Sequence, residues 1–111
     1  MDLASWRSQL RKGAAELAVL SVLSPQAHYG LEVLNAINTA GFELTEGTLS
    51  PLLNRLQRDG KIEAEWREVE GASHPRKYYR LSTDGAAMLE GMRPEWIRFK
   101  SALTALVEVP L

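Results

Sequence analysis

TEGTLSPLLNRL, residues 45–56, runs on into GKIEAEW at 60–66 and, after a loop, into RKYYRLS at 76–82. In the first segment Leu49, Leu52, Leu53 and Leu56 recur at i, i+3, i+4 and i+7, the spacing of one apolar helix face. Thr45 stands where an N-cap belongs, its hydroxyl free to accept from the amide of Gly47 or Thr48, and Gly60 is the stop. In the two later segments Ile62, Ala64 and Trp66 alternate with Glu63, Glu65 and Arg67, and Tyr79 and Leu81 alternate with Tyr78 and Arg80. That period belongs to strands with one apolar and one polar face. A short helix, a strand, a turn and a second strand, in that order, predict a winged helix-turn-helix.

On a helical wheel the face opposite the leucines is centred on Gly47, Pro51, Asn54 and Arg58, with Ser50 and Arg55 on its flanks. Asn pairs bidentately with adenine and Arg with guanine or phosphate, a good base contact contributing about 1 to 3 kcal/mol of discrimination. The face is therefore suited to a major groove. It would equally serve as the solvated side of an ordinary surface helix, and the strand pair that follows is what favours the first reading. Pro51 removes a helix hydrogen bond, at about 3 kcal/mol in a helix interior. This places the effective start near residues 46–48 or distorts the reading end. Between the strands, Glu70-Gly71-Ala72-Ser73-His74-Pro75 is rich in turn residues and leads into Arg76, Lys77 and Tyr78. A hairpin tip with two adjacent cations and a tyrosine suits phosphates or a minor groove. Glu63, Glu65, Glu68 and Glu70 must then point away from phosphate.

The surrounding chain sets the limits. Its 111 residues suffice for one domain, and 13 Lys and Arg against 14 Asp and Glu make the formal net charge -1. A nucleic-acid face must therefore come from charge placement rather than global basicity. Zero cysteines exclude disulfides and thiolate metal sites and fit a reducing cytoplasm. Arg7, Arg11 and Lys12 ahead of the apolar run 14–23 imitate a signal peptide. Glu16 interrupts that run, which is also far shorter than the roughly 20 residues of a membrane span, so the expectation is a buried first helix ending at Ser24-Pro25. Leu31, Val33, Leu34 and Ile37 predict a second short helix, closed near Ala40-Gly41.

Beyond Thr83, a candidate N-cap, Leu89, Met92, Trp96, Phe99, Leu103 and Leu106 recur at spacings of 3, 4, 3, 4 and 3. These are a and d positions of nearly three heptads. One small chain has little left to cover so long a stripe, so the stripe predicts association with a partner. Gly91 and Pro94 interrupt the helix, but the apolar phase carries through them, which argues for a kink and not a new element. The expected fold is mainly α with a small β-hairpin, residues 1–82 forming the winged helix-turn-helix and residues 83–111 the dimerisation helix of one compact unit.

These motifs together resemble those of short PadR-family transcriptional regulators from about Gln9 to Val107. The resemblance rests on LRKGAAELAVLSVLS, HYGLEVLNAI, ELTEGTLSPLLNRLQRDGKIEAEW, RKYYRLSTDG and a tryptophan on the C-terminal helix. It implies a dimeric, cytoplasmic repressor whose paired recognition helices enter successive major grooves of a palindromic double-stranded site, with the wings on the flanking backbone. It assigns Thr48, Ser50, Pro51 and Asn54 to the recognition helix, Tyr29 to the preceding helix, and Arg76, Lys77 and Tyr78 to the wing. Arg55 and Arg58 join this DNA-binding set from the wheel. Ser50 departs from the family's usual TLYPLL tyrosine, so operator preference does not transfer from relatives. Gly91 and Pro94 depart from its usual helix.

In multidrug-sensing relatives a tryptophan of the C-terminal helix lines a pocket at the dimer interface, and Trp96 matches it. Planar, partly cationic aromatics would stack there, with Trp6, Glu16 and Glu95 as further pocket candidates. Trp96 also reads simply as a large heptad core residue. An enzyme reading fails on inventory: His28 and His74 are the only histidines, no HExxH spacing or phosphate-binding glycine pattern occurs, and the adjacent Ser73-His74 pair has no carboxylate to orient it. No metal or cofactor is expected. The alternative to DNA reading is a winged-helix adaptor that binds protein, favoured by the net charge and by the absence of Lys and Arg between Gly13 and Asn54.

Overall fold

The computed structural model describes residues 2–110, and its elements follow from local chemistry. Helix α1 spans Leu3–Leu23, capped by Asp2, whose carboxylate accepts from the Ala4 amide at 2.9 Å. It thus begins well before the apolar run that announced it, because an acidic cap and a polar first half suffice for a helix that packs only through its second half. Its Ala15, Val19, Leu20 and Leu23 are buried. Next come a two-residue strand β1, His28–Tyr29, helix α2, Gly30–Thr39, and helix α3, Glu46–Arg58. Strands β2, Ile62–Arg67, and β3, Arg76–Leu81, precede the long helix α4, Thr83–Val107.

The turn between α2 and α3 is clamped by one side chain. Asn38 donates its amide to the Leu44 carbonyl at 2.9 Å, and its oxygen accepts from the Leu44 amide at 2.7 Å. Gly41 and Glu43 both take positive φ, 97° and 57°, a conformation that glycine adopts without steric cost. Buried Val33 and Ile37 of α2 meet Leu49, Leu53 and Leu56 of α3 over α1, the apolar seam that the leucine spacing foretold.

The sheet has three antiparallel strands in the order β1-β3-β2, so the expected hairpin gains a third strand. His28 pairs with Tyr79 and Tyr29 with Tyr78, while β2 and β3 pair from Ile62 with Leu81 to Arg67 with Arg76. A strand of two residues carries no alternation to read, and Tyr29, assigned to the helix before α3, lies on it as the N-cap of α2 instead. Ile62 and Tyr79 bury their side chains in the core, but Trp66, read on the same apolar face, is 69% exposed. It lines an open groove beside Ser50, Leu53 and Asn54 of α3 instead of the closed core.

Helix α4 is launched from a tight junction. Ser82, not Thr83, is its N-cap: the Ser82 hydroxyl accepts from the Gly85 amide at 3.0 Å and donates to the Gly60 carbonyl at 2.5 Å. The helix then runs through Gly91 and Pro94 to Val107. Its first half packs on α1, and Leu89, read as part of the partner interface, is 2% exposed within this chain's own core. The reason is geometric, since the early turns of α4 lie across α1 before the helix leaves the body. Beyond Met92 the stripe is bare, with Phe99 60% and Leu106 75% exposed.

Candidate nucleic-acid interface

The exposed side of α3 is built from its cap outward. The Thr45 hydroxyl accepts from the Thr48 amide at 3.2 Å, satisfying one of the orphan donors of the first turn. Helix α3 begins at Glu46 and continues through Pro51, which has no amide to offer the Gly47 carbonyl. With Leu49, Leu53 and Leu56 buried below, Gly47, Pro51, Asn54 and Arg58 form an exposed ridge. A groove lies on each side of it.

The first groove, of about 440 Å³, separates α3 from the sheet and is lined by Tyr29, Ser50, Asn54, Trp66, Arg76 and Lys77 among others. Its cations are held by aromatic rings. The Arg76 guanidinium lies 4.6 Å from the Tyr29 ring centroid, the Lys77 ammonium 5.4 Å from that of Tyr79, and the Arg67 guanidinium 4.5 Å from that of Tyr78. Tyr29 and Tyr78 meet edge to face at 5.6 Å and 67°. Each cation–ring contact contributes about 0.5 to 1 kcal/mol at an exposed position, enough to bias a long side chain without fixing it. The short strand β1 makes this stack by pairing Tyr29 with Tyr78. Glu32 anchors it from behind, accepting from the Tyr29 amide at 3.1 Å with its carboxylate 3.6 Å from His28 Nδ1.

Charge is sorted within the wing. Glu63 meets Arg80 at 2.9 Å, directly across the strands, and Glu65 meets Arg67 at 2.5 Å and Arg80 at 3.6 Å. The hydrogen bond and charge of Arg67, aided by Arg80, hold the Glu65 carboxyl below the usual carboxylate range. Arg76 and Lys77 form no ion pair among the described residues. The acids of β2 are thus neutralised where they stand, and the two cations beside α3 keep their charge for something else.

The second groove, of about 420 Å³, separates α3 from α1 and is lined by Lys12, Thr48, Pro51, Arg55 and Arg58 with apolar neighbours. Here Arg55 lies 3.5 Å from Glu16 and 3.9 Å from Asp59, and Arg58 lies 3.8 Å from Asp59. Nine of the ten residues read as DNA-facing therefore divide between the two grooves beside one ridge, and Tyr78, stacked on Tyr29, lines neither. Trp66 and Lys12 join them without having been singled out, Trp66 because its alternation suggested burial and Lys12 because nothing in a helical charge run says which neighbour it will face.

A third groove, of about 730 Å³, runs between α1 and α4, lined by Leu10, Leu17, Phe42, Met92, Trp96 and Phe99 among others. Glu95 lines it too and bonds Arg98. Trp6 and Glu16 are not among its lining residues. Trp6 is exposed, and Glu16 faces Arg55 across α1. No described helix is long and apolar enough to cross a membrane, and no described group of acidic or histidine side chains could hold a metal ion.

Helix-turn-helix, three-stranded wing and an exposed ridge of α3 flanked by cations define a winged-helix protein of the nucleic-acid-binding class. The family model "Transcriptional regulator PadR-like family" matches residues 19–91, and the chain belongs to that family. It is similar to a transcriptional regulator of Mycobacterium tuberculosis, 30% identical over 81 residues, which cover 73% of this chain and 74% of that one. Among solved structures it superposes on a PadR family transcriptional regulator from Eggerthella lenta with a TM-score of 0.83 at 30% identity, covering 97% of this chain and 94% of that one. A PadR-like regulator from Bacillus cereus superposes with a TM-score of 0.82 at 29% identity, covering 92% and 99%. Proteins of this family are DNA-binding regulators of transcription and not enzymes.

Proposed function

We propose that this regulator is a cytoplasmic, homodimeric repressor that reads a palindromic double-stranded operator near its own gene. The observation that carries the reading is the pair Arg76 and Lys77, poised by tyrosine rings and in no ion pair among the described residues, beside the exposed ridge of α3. Ridge residues Pro51 and Asn54, with Thr48 and Ser50, face the bases, while Tyr29, Arg55, Arg58, Arg76, Lys77 and Tyr78 serve the backbone. Ser50 sets an operator preference of this chain's own. Residues 1–82 form the reading unit and residues 83–111 the dimerisation helix, which associates through Met92, Trp96, Phe99, Leu103 and Leu106. Leu89 is left out because it packs inside the chain. A small planar aromatic effector stacks on Trp96 in the groove between α1 and α4, and its binding modulates DNA affinity.

The test is fluorescence anisotropy with a labelled duplex from the region upstream of the gene, beside a scrambled duplex, each at two salt concentrations. Tight, salt-sensitive binding that prefers the upstream duplex is expected. Equal, weak binding to that duplex and its scrambled partner would overturn self-regulation and favour the adaptor alternative.

A further inference from the structure

The wing lies on one side of the α3 ridge, and the other side carries a charged groove of its own. Thr48 and Arg55 flank the ridge on the side of α1, opposite Ser50, and with Pro51 and Arg58 of the ridge itself they line this groove. Helix α1 closes that groove with Lys12, one turn before Glu16, while Ala15 packs between them in the core.

We propose that this groove is a second phosphate site, in which Lys12, Arg55 and Arg58 hold the DNA backbone opposite the one held by the wing, and that Glu16 is a counter-ion displaced from Arg55 on binding. The inference rests on the DNA-reading function proposed above. A helix ridge seated in a major groove about 12 Å wide has a phosphate backbone on each side, so a wing on one side leaves the other strand to whatever flanks the ridge there. Three cations meet two carboxylates in this groove, and Lys12 forms no ion pair among the described residues.

The pairs present are loose enough to exchange. Glu16 stands 3.5 Å from Arg55, and Asp59 stands 3.9 Å from Arg55 and 3.8 Å from Arg58, all longer than the 2.7 to 2.9 Å or so of a strong charge-assisted hydrogen bond. Exposed pairs contribute about 0 to 1 kcal/mol, and the Arg55–Glu16 pair, at 45% and 29% exposure, is partly screened by solvent. A phosphate oxygen can replace Glu16 on Arg55 at little cost. Arg80, by contrast, is held by Glu63 at 2.9 Å on the far face of the wing and stays committed.

The experiment measures DNA affinity of Lys12→Gln and Glu16→Gln by anisotropy across a salt series, on the upstream duplex and on a scrambled duplex of equal length, with Arg76→Gln as the wing control. Lys12→Gln is expected to make the log–log salt slope shallower by about 1.8, the value of two phosphate contacts, one from each protomer of the dimer, on both duplexes. Glu16→Gln is expected to tighten binding to both, by about threefold at low salt. Thermal melting of each variant separates loss of contact from loss of fold. A wild-type slope in Lys12→Gln, beside a reduced slope in Arg76→Gln, overturns the second phosphate site while the wing and the repressor reading stand. Weaker binding by Glu16→Gln overturns the counter-ion role. Equal, weak binding of the unaltered protein to both duplexes removes the DNA-reading function, and this site with it.

Discussion

One hydrogen atom decides how α4 leaves the sheet. A Cβ on Gly85 would lie 1.8 Å from the Lys61 carbonyl oxygen, and that carbonyl already accepts from the Ser82 amide at 3.1 Å. Neither partner is the free end of a flexible side chain, so the backbone must shift. Gly85→Ala is expected to destabilise the protein by about 2 to 3 kcal/mol, the upper range for overpacked sites, read as a lower midpoint in urea unfolding. Gly91→Ala, which meets nothing within 4 Å, is the control and should keep the midpoint or raise it. A sequence read alone shows Gly85 only as an undistinguished glycine in a first helical turn. The backbone approach that makes it necessary exists only after residues 61 and 85 are brought together.

Among the elements, α4 divides at Met92 into a packed half and a bare half. Periodicity could not see this division, because an apolar stripe looks the same whether its cover comes from the same chain or another. Leu89→Ala is expected to cost about 2 to 5 kcal/mol of stability, as for other buried leucines, without changing the sedimentation mass of the folded protein. Leu103→Asp should do the reverse, leaving the winged portion folded and shifting the mass toward monomer, since a charge would be desolvated at the association face. Unaltered protein already monomeric at micromolar concentration would contradict this division of labour. The wing divides in the same manner. Its strand alternation was legible and its register followed, but Trp66 fell outside the core because the groove between α3 and the sheet is open at that end.

For the molecule as a whole, the radius of gyration is 16.0 Å, against about 13 Å for a compact chain of this length. The two long helices, α1 of 21 residues and α4 of 25, give the molecule its elongation, 57 × 31 × 21 Å, and form the third groove between them. Helix α1 borders two sites at once: Leu17 faces that groove, and Glu16, next in sequence, faces Arg55 of the reading helix. A planar cationic dye is expected to quench tryptophan emission by stacking in this groove, with the quenching lost in Trp96→Ala. Trp6 and Trp66 are exposed and lie outside the groove lining. Quenching that survives the substitution would put the dye at one of them.

Local chemistry alone determined the helix order, the Thr45 cap, the leucine seam of α3, the paired alternation of the wing and the long apolar stripe of α4. Each depends on contacts within a few residues or on a repeat that any reader of the chain can count. Tertiary structure decided the rest: the third strand that brings Tyr29 to Tyr78, the removal of Leu89 from the outer surface, the separation of Glu16 from the Trp96 groove, and the meeting of Lys12 with Arg55 and Arg58. Those outcomes depend on which face of one element turns toward another. That choice is settled by close packing across residues far apart in sequence, and no spacing along the chain encodes it.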